Sequence, residues 1–419
     1  MYALADCNNF FVSCERVFNP GLNGRPVIVL SNNDGCAVSR SNEAKKLGVK
    51  MGVPVFQIRE LVQKHQIAVF SSNFVLYGDM SRRVQETLRA YAPAIELYSI
   101  DEAFLDFSGM EHQNLDALAK EISGACLRNT GIPVSVGVAP TKTLAKIASK
   151  LCKQYPKLRG GCYLHKPADI EKVLKKYPID DVWGIGRQYT KKLKALGINT
   201  AYEFTQLSAL RVQKMMGITG LRTWKELRAE ACIEFMQANP PKQQICVSRS
   251  FSKEISDIKE LALQVSMFCA MACEKLRKQD SHCYQALVFI LTNPHKEDSP
   301  RHFESTLVTF QVATSSTLEI NRAVLQALQR IFKPSFAYKK AGVILSEIVP
   351  DSAVQGSLFD QLDRAKHQRL MKVVDKINKK NGYSSVAVAT QSLEGIKMNR
   401  QHLSPQYTTK WSDIIKVKT

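Results

Sequence analysis

The sequence predicts an α+β protein of more than one domain. Three observations carry that reading. The chain has 419 residues, too many for one ordinary core. Strand-like and helix-like stretches alternate through the first 164 positions and again after residue 243. Between them lies a polar stretch with a proline pair, Gln237 to Ile245, which reads as a linker.

Residues 2–7 alternate toward a strand, and Asn8 to Arg16 reads as a turn entering a short helix. Val27–Leu30 is a buried-type strand, Ala37–Ser39 another, and Asn42–Leu47 a helix stopped at Gly48. Residues 53–75 mix short helix, strand and turns. An amphipathic helix is predicted from Met80 to Ala90, with Val84 and Leu88 on one face. Two short antiparallel strands follow across Glu96–Phe107, with Asp101 and Glu102 at or beside the turn. A helix over Leu115–Arg128, a strand over Val134–Val138 and a helix over Lys142–Leu151 complete a mixed sheet, with helices expected on one face. From Pro167 to Cys232 the pattern is short helices, with Gly184, Gly186, Gly197, Gly217 and Gly220 as stops. After the linker come a strand, a helix over Lys259–Arg277, strands near 283–292 and 306–314, a helix over Leu318–Ile331 and a strand over Lys340–Ile348. Residues 350–419 read as a short peptide, a basic helix and a weakly structured tail.

Composition narrows the function classes. No apolar run reaches the length of a membrane span, and Met1–Asp6 reads as a first strand rather than a signal peptide. Eleven cysteines without C-x-x-C pairs fit reduced thiols in a cytoplasmic protein. The net charge of +20 is uneven: Thr141–Arg228 holds 19 Lys and Arg against 6 Asp and Glu. Such a stripe points to a polyanion partner.

Taken alone, Asp101-Glu102 reads better as a solvated turn than as a metal site. If the first strand lies beside the hairpin, Asp6 makes a third carboxylate, and hard oxygen ligands of this kind suit Mg²⁺. Asp180 to Arg187, followed by Lys191, Lys192 and Lys194, reads as a helix-hairpin-helix. In it the Gly184-Ile185-Gly186 turn would bring backbone N–H groups to a DNA phosphate.

Three motifs occur in order: Asp6-x-Asn-x-Phe-Phe-x-Ser-Cys-Glu15, Ser99-Ile-Asp-Glu-Ala-Phe-Leu-Asp106, and Gly137-Val-Ala-Pro-Thr-Lys-Thr-Leu-Ala-Lys-Ile-Ala-Ser-Lys150. Together they resemble the Y-family of translesion DNA polymerases, closest to its UmuC branch, over nearly the whole chain. The resemblance implies a right-hand polymerase. Its palm would span 1–10 and 75–164, small fingers 11–74, and a helical thumb 165–236. A linker at 237–242, an α+β little finger at 243–349 and a C-terminal extension at 350–419 would follow.

The activity implied is error-prone, template-directed synthesis across damaged DNA, as in SOS-type repair and mutagenesis, by two-metal nucleotidyl transfer from a dNTP to a primer 3′-OH. Asp6, Asp101 and Glu102 would be the catalytic ligands of two Mg²⁺ ions, joined by the Cys7 carbonyl, with Phe11 as the steric gate under the incoming sugar. Asn42, Lys45 and Lys153 would meet the triphosphate, whereas Lys146 and Lys150 also read as a solvated helix face. Gly184, Gly186, Arg187, Lys191, Arg249 and Lys253 would meet the DNA backbone. Gln355, Leu358 and Phe359 resemble a sliding-clamp-binding peptide, and a UmuD-type dimer and a recombinase filament are further implied partners, with no membrane. A nucleotide cyclase and a non-catalytic DNA-binding scaffold are the other classes that the same carboxylates and basic surfaces suggest. The basic region argues against the first, and the intact carboxylates against the second.

Overall fold

The first strand, β1 (Tyr2–Cys7), is buried on both sides. Ala3, Ala5 and Cys7 enter one core and Leu4 enters another. A computed structural model describes residues 1–238, 240–296, 300–382, 385–391 and 399–415. The chain divides into two units, Met1–Asn239 with Arg400–Thr419, and Pro240–Asn399. The expected linker contains position 239, which lies outside the described residues.

In the first unit β1 leads to α1 (Phe10–Phe18), β2 (Val27–Leu30), β3 (Ala37–Arg40), α2 (Asn42–Lys46), α3 (Arg59–Lys64) and β4 (Ala68–Ser71). Then come α4 (Phe74–Arg89), β5 (Ala94–Leu97), β6 (Glu102–Asp106), α5 (Leu115–Thr130), β7 (Val134–Ala139), α6 (Lys142–Gln154) and β8 (Gly161–Tyr163). A five-stranded sheet runs β5-β6-β1-β7-β8, and a separate three-stranded sheet runs β3-β2-β4. The expected hairpin is β5–β6, antiparallel, with Ala94 opposite Asp106. Helix α4 starts at Phe74, six residues before the expected Met80, because the Asn73 side chain accepts from the Leu76 N–H and caps it.

Helices cover both faces of the large sheet, not one. Ala103, Leu105, Val136 and Val138 share a core with residues of α1, α4 and α5. Leu4, Phe104 and Ala139 share the other with α6. Strand alternation places neighbouring side chains on opposite faces, so a sheet buried on both sides needs two helical layers. Gly137 permits the close approach of the second. A Cβ there would lie 2.1 Å from the Ser149 nitrogen, which no side chain tolerates.

Helices α7 (Pro167–Leu174), α8 (Arg187–Ala195), α9 (Ala201–Thr205) and α10 (Ala209–Leu227) follow. They pack Leu174, Leu193, Phe204 and Val212 into the core that holds Leu144 and Ile147 of α6. Glu226, fully buried, locks α10 to the start of α6: its backbone carbonyl accepts from the Thr141 hydroxyl at 2.8 Å and its carboxylate from the Thr143 N–H at 3.0 Å. Gly217 does interrupt α10, at φ 68° and ψ −164°. Gly220 is not a stop but a buried position inside the helix, where a Cβ would collide with Met216.

The second unit holds β9 (Ile245–Ile255), α11 (Ile258–Arg277), β10 (Ser281–Thr292), β11 (Phe303–Thr314), α12 (Thr317–Ile331) and β12 (Tyr338–Pro350). Its antiparallel sheet runs β11-β10-β12-β9, with α11 and α12 packed on its apolar face. The basic helix is α13 (Arg364–Asn381), held by Arg277 bidentate on Asp375 at 2.7 Å per bond and by Arg364 on Glu319. Residues 400–415 contain only one short helical turn, Trp411–Asp413, yet they belong to the first unit. The expected single C-terminal extension is thus divided between two bodies.

Candidate active site

Strands β1 and β6 pair antiparallel with Asp6 directly opposite Glu102. The two side chains therefore emerge on the same face of the sheet. Asp101 sits one residue before β6, in a turn shaped by Ser99. The Ser99 hydroxyl donates to Asp101 Oδ1 at 2.7 Å and accepts from the Asp101 and Glu102 N–H groups at 3.3 and 3.0 Å. The Cys7 N–H donates to the Asp101 carbonyl at 2.9 Å, tying the turn to β1. Asp6, Cys7, Asp101 and Glu102 line one cleft of about 360 Å³.

Two lysines of α6 answer two of these carboxylates. Lys146 lies 2.8 Å from Glu102, and Lys153 lies 2.6 Å from Asp6. They are seven residues apart, two helical turns, and so share the face that lies on the sheet. Lys153 is inside the last turn of α6, not beyond it as the sequence suggests, because the helix continues to Gln154. Lys146 is no solvated residue. Its ammonium sits 4.4 Å from the Tyr98 ring centroid and 5.3 Å from that of Trp183. Lys150 points to Asp181 at 2.7 Å.

Burial raises the Asp6 carboxyl above the ordinary carboxylate range. Lys153 opposes this, and the charges of Glu102 and Asp101 add to it. Among the described residues no three acidic, His or Cys side chains are already closed into a coordination cluster; Glu102 and Asp6 are instead each paired with a lysine. The donor set still fits a hard divalent cation. Adjacent carboxylates share one cleft, all donors are oxygen, and the Asp6 charge lacks enough compensation in its buried setting.

The rest of the cleft wall comes from α1, β3 and α2. Phe11 lies across it, stacked on Tyr77 at 4.7 Å and edge-on to Phe74 at 5.7 Å. Lys45 reaches Asn9 Oδ1 at 2.6 Å, and Asn9 Nδ2 donates to Asn42 Oδ1 at 3.1 Å. Burial lowers the Lys45 pKa, with the Arg40 and Lys153 charges adding to it; an anion at this spot would reverse that effect. Asn9 adopts a left-handed backbone, φ 48°, at the start of α1. Asn9 and Arg40, which line the cleft, escape the sequence reading, and Lys146, read from the sequence as a solvated helix face, is the lysine that meets Glu102. The seven-residue spacing of Lys146 and Lys153 is a signal that could have found one of them; Asn9 and Arg40 have no local signal beyond polarity.

The remaining candidates lie elsewhere. Gly184, at φ 89°, and Gly186, the residue before α8, shape the turn that Arg187 follows. On α8 Lys194 meets Asp180 at 3.1 Å, and Lys191 is exposed. Arg249 and exposed Lys253 lie on β9 of the second unit. Gln355, Leu358 and Phe359 belong to the same unit, and the two apolar side chains are 101% and 86% exposed, so among the described residues nothing packs on them.

Comparison with known proteins places these features. Residues 5–150 match the impB/mucB/samB family and residues 242–358 match that family's C-terminal domain. Residues 167–198 match the family's helix-hairpin-helix motif, and residues 368–417 match a domain of unknown function. The chain is 40% identical to the protein UmuC of Salmonella typhimurium over 422 aligned residues, covering all of both chains. It is 41% identical to the protein ImpB of the same species over 99% of each. It is 25% identical to DNA polymerase IV 1 of Bacillus subtilis over 90% of this chain and 89% of that one. Among solved structures, a Y-family DNA polymerase chimera superposes with a TM-score of 0.68 at 24% identity, covering 83% of this chain and 99% of the other. DinB from Sulfolobus solfataricus gives 0.52 at 24% identity over the same shares.

Proposed function

The chain belongs to the impB/mucB/samB family and is an error-prone DNA-directed DNA polymerase of the right-hand Y-family fold that copies damaged templates, and from that premise we propose how its residues divide the work. Asp6, Asp101 and Glu102, with the Cys7 carbonyl, are the residues that would hold two Mg²⁺ ions. The observation that carries this is the register of β1 against β6, which sets Asp6 opposite Glu102 at one end of a cleft also lined by Lys45, Lys153 and Phe11. When bound, the ions would supply an acidified primer 3′-hydroxyl and charge neutralisation on the departing pyrophosphate.

The chain's own groups do the rest. Lys153 and Lys45, with Asn42, receive the triphosphate of the incoming dNTP. Lys153 then exchanges the Asp6 carboxylate for a phosphate oxygen, and Lys146 is the second lysine that must leave its carboxylate or share it. The Phe11 ring, backed by Tyr77, lies under the sugar and excludes a 2′-hydroxyl by contact. The turn Gly184–Gly186 with Arg187 and Lys191, and Arg249 with Lys253, hold the primer–template through its backbone, without base readout.

In this assignment residues 1–10 and 75–164 serve as palm, 11–74 as fingers, 165–236 as thumb and 243–349 as little finger, joined by the linker 237–242. Gln355, Leu358 and Phe359 enter a sliding clamp, and a UmuD-type dimer and a recombinase filament are the further partners. Eleven free thiols fit a cytoplasmic setting, and among the described residues no helix is long and apolar enough to cross a membrane. Primer extension across an abasic site tests the reading: the wild type extends and Asp101→Ala does not. Equal extension by both would remove the carboxylates from the chemistry, and DNA binding without extension by either would leave a scaffold.

A further inference from the structure

The region matched to a domain of unknown function ends in a segment that reaches the gate of the site. His402 pairs with Ser71 at the end of β4. The Ser71 N–H donates to the His402 carbonyl at 2.9 Å, and the His402 N–H donates to the Ser71 hydroxyl at 3.0 Å. Two residues on, buried Ser404 sits between the two helices that hold Phe11 in place. From α1, the carboxylate of Glu15 accepts from the Ser404 hydroxyl at 2.9 Å. From the start of α4, the Asn73 amide donates to Ser404 Oγ and to the Ser404 carbonyl, both at 3.1 Å, while its other end caps the helix. Tyr407 then stacks on Phe18, the last residue of α1, with ring centroids 4.7 Å apart.

Glu15 is the pivot of this arrangement. The same oxygen, Oε1, that accepts from Ser404 accepts from the Tyr77 hydroxyl at 2.6 Å. Tyr77 is fully buried, and its ring is the surface on which Phe11 stacks, nearly parallel at 16°. Phe11 and Glu15 are four residues apart on α1, one helical turn. One carboxylate oxygen on α1, a turn from Phe11, thus accepts from both α4 and the C-terminal segment and ties the three together.

We propose that the C-terminal segment 400–415 is a buttress of the sugar gate, in which Ser404 acts as a positioning residue that sets Phe11 through Glu15 and Tyr77. The inference rests on Phe11 being the gate. It gives a role to a segment 389 positions away from the residue it touches. It also predicts that sugar selection, rather than nucleotidyl transfer as such, depends on this contact.

The test is single-nucleotide insertion by the full chain on a primed template, comparing kcat/KM for a dNTP with that for the matching rNTP. Ser404→Ala is expected to raise the rNTP:dNTP ratio about tenfold with dNTP insertion within about twofold of wild type, because a shift of roughly half an ångström should change rates by less than the about hundredfold that 1 Å costs. Ser404→Thr, which keeps the hydroxyl, is expected to restore the wild-type ratio. Tyr77→Phe keeps the ring but loses the bond to Glu15, and should raise the ratio as well. Combined with Ser404→Ala it should add less than the two effects separately, as residues in one network do.

Thermal melts define a temperature at which every variant is folded, so loss of fold does not imitate the result. Phe11→Ala is the reference. If it raises the ratio and Ser404→Ala does not, the buttress is overturned and the gate stands. Fully additive effects of Ser404→Ala and Tyr77→Phe also overturn the relay. If Phe11→Ala leaves the ratio unchanged, the gate falls and this inference falls with it.

Discussion

A single methyl group at Gly137 tests the geometry on which the site depends. Gly137 lies on β7 beneath α6, and a Cβ there would sit 2.1 Å from the Ser149 nitrogen, 2.4 Å from the Ala145 oxygen and 2.6 Å from the Ala148 carbonyl carbon. Non-bonded heavy atoms need about 3.5 Å, so α6 must retreat by roughly 1 Å. All three obstacles are main-chain atoms of the helix, and no change of rotamer relieves them. Overpacking of this kind costs about 3 kcal/mol. In a unit of this size that lowers Tm by roughly 6–12 °C. The same retreat carries Lys146 and Lys153 away from carboxylates that they now reach at 2.8 and 2.6 Å. A displacement of ~1 Å at reacting groups is expected to lower kcat/KM about a hundredfold. Urea unfolding of Gly137→Ala gives the stability term, and single-nucleotide primer extension at a temperature where the variant is folded gives the second. A variant that melts like wild type and inserts nucleotides within about twofold of its rate would refute the claim that the contact between α6 and the sheet sets the site.

Three further outcomes are expected. Burial raises the Glu15 carboxyl above its ordinary range, while the Tyr77 and Ser404 hydroxyls offset part of the rise. A raised folded pKa stabilises fully below the unfolded value of about 4.3, and this contribution is lost as pH rises through the folded value. The Tm of Glu15→Gln relative to wild type should therefore climb with pH across that window; a difference independent of pH would contradict it. Lys142 is 1% exposed, 2.5 Å from Glu96 and 2.6 Å from the Glu234 carbonyl, so Lys142→Met leaves the buried Glu96 carboxylate without its counter-charge, with the Met236 N–H still donating to it at 2.7 Å. The cost is expected to be about 3–5 kcal/mol in chemical denaturation, largely recovered by adding Glu96→Leu. Replacing Leu358 and Phe359 together by alanine should remove stimulation by a sliding clamp and spare clamp-free extension, because both side chains are exposed and support no fold. Loss of both activities would count against the clamp assignment.

Much of the fold is legible in the sequence because its signals are local. The alternation in Tyr2–Cys7, the apolar run Val27–Leu30 and the caps around α5 and α6 act within a few residues, and the structure places strands and helices there. The early start of α4 is legible only once Asn73 is recognised as a cap; Phe74, Val75 and Gly78 otherwise break the periodicity. The expectation of helices on one face failed for a different reason. Whether a helix following β7 packs above or below the sheet depends on which side has room, and Gly137 opens the side that Val136 and Val138 do not occupy.

Legible in the sequence alone as candidates are the carboxylates Asp6, Asp101 and Glu102, the Phe11 position, the glycine turn before Arg187, the basic stripe from Thr141 to Arg228 and the Leu358-Phe359 pair. Each is a matter of residue type and short spacing. The tertiary structure alone decided which charges meet: that Lys146 answers Glu102 and Lys153 answers Asp6, that Arg40 and Asn9 line the cleft, and that the segment 400–415 returns to Glu15. Contacts between residues hundreds of positions apart leave no periodicity in the chain. They arise because a buried carboxylate such as Glu15 must find hydrogen-bond donors, and any segment able to reach it, however distant in sequence, can supply them.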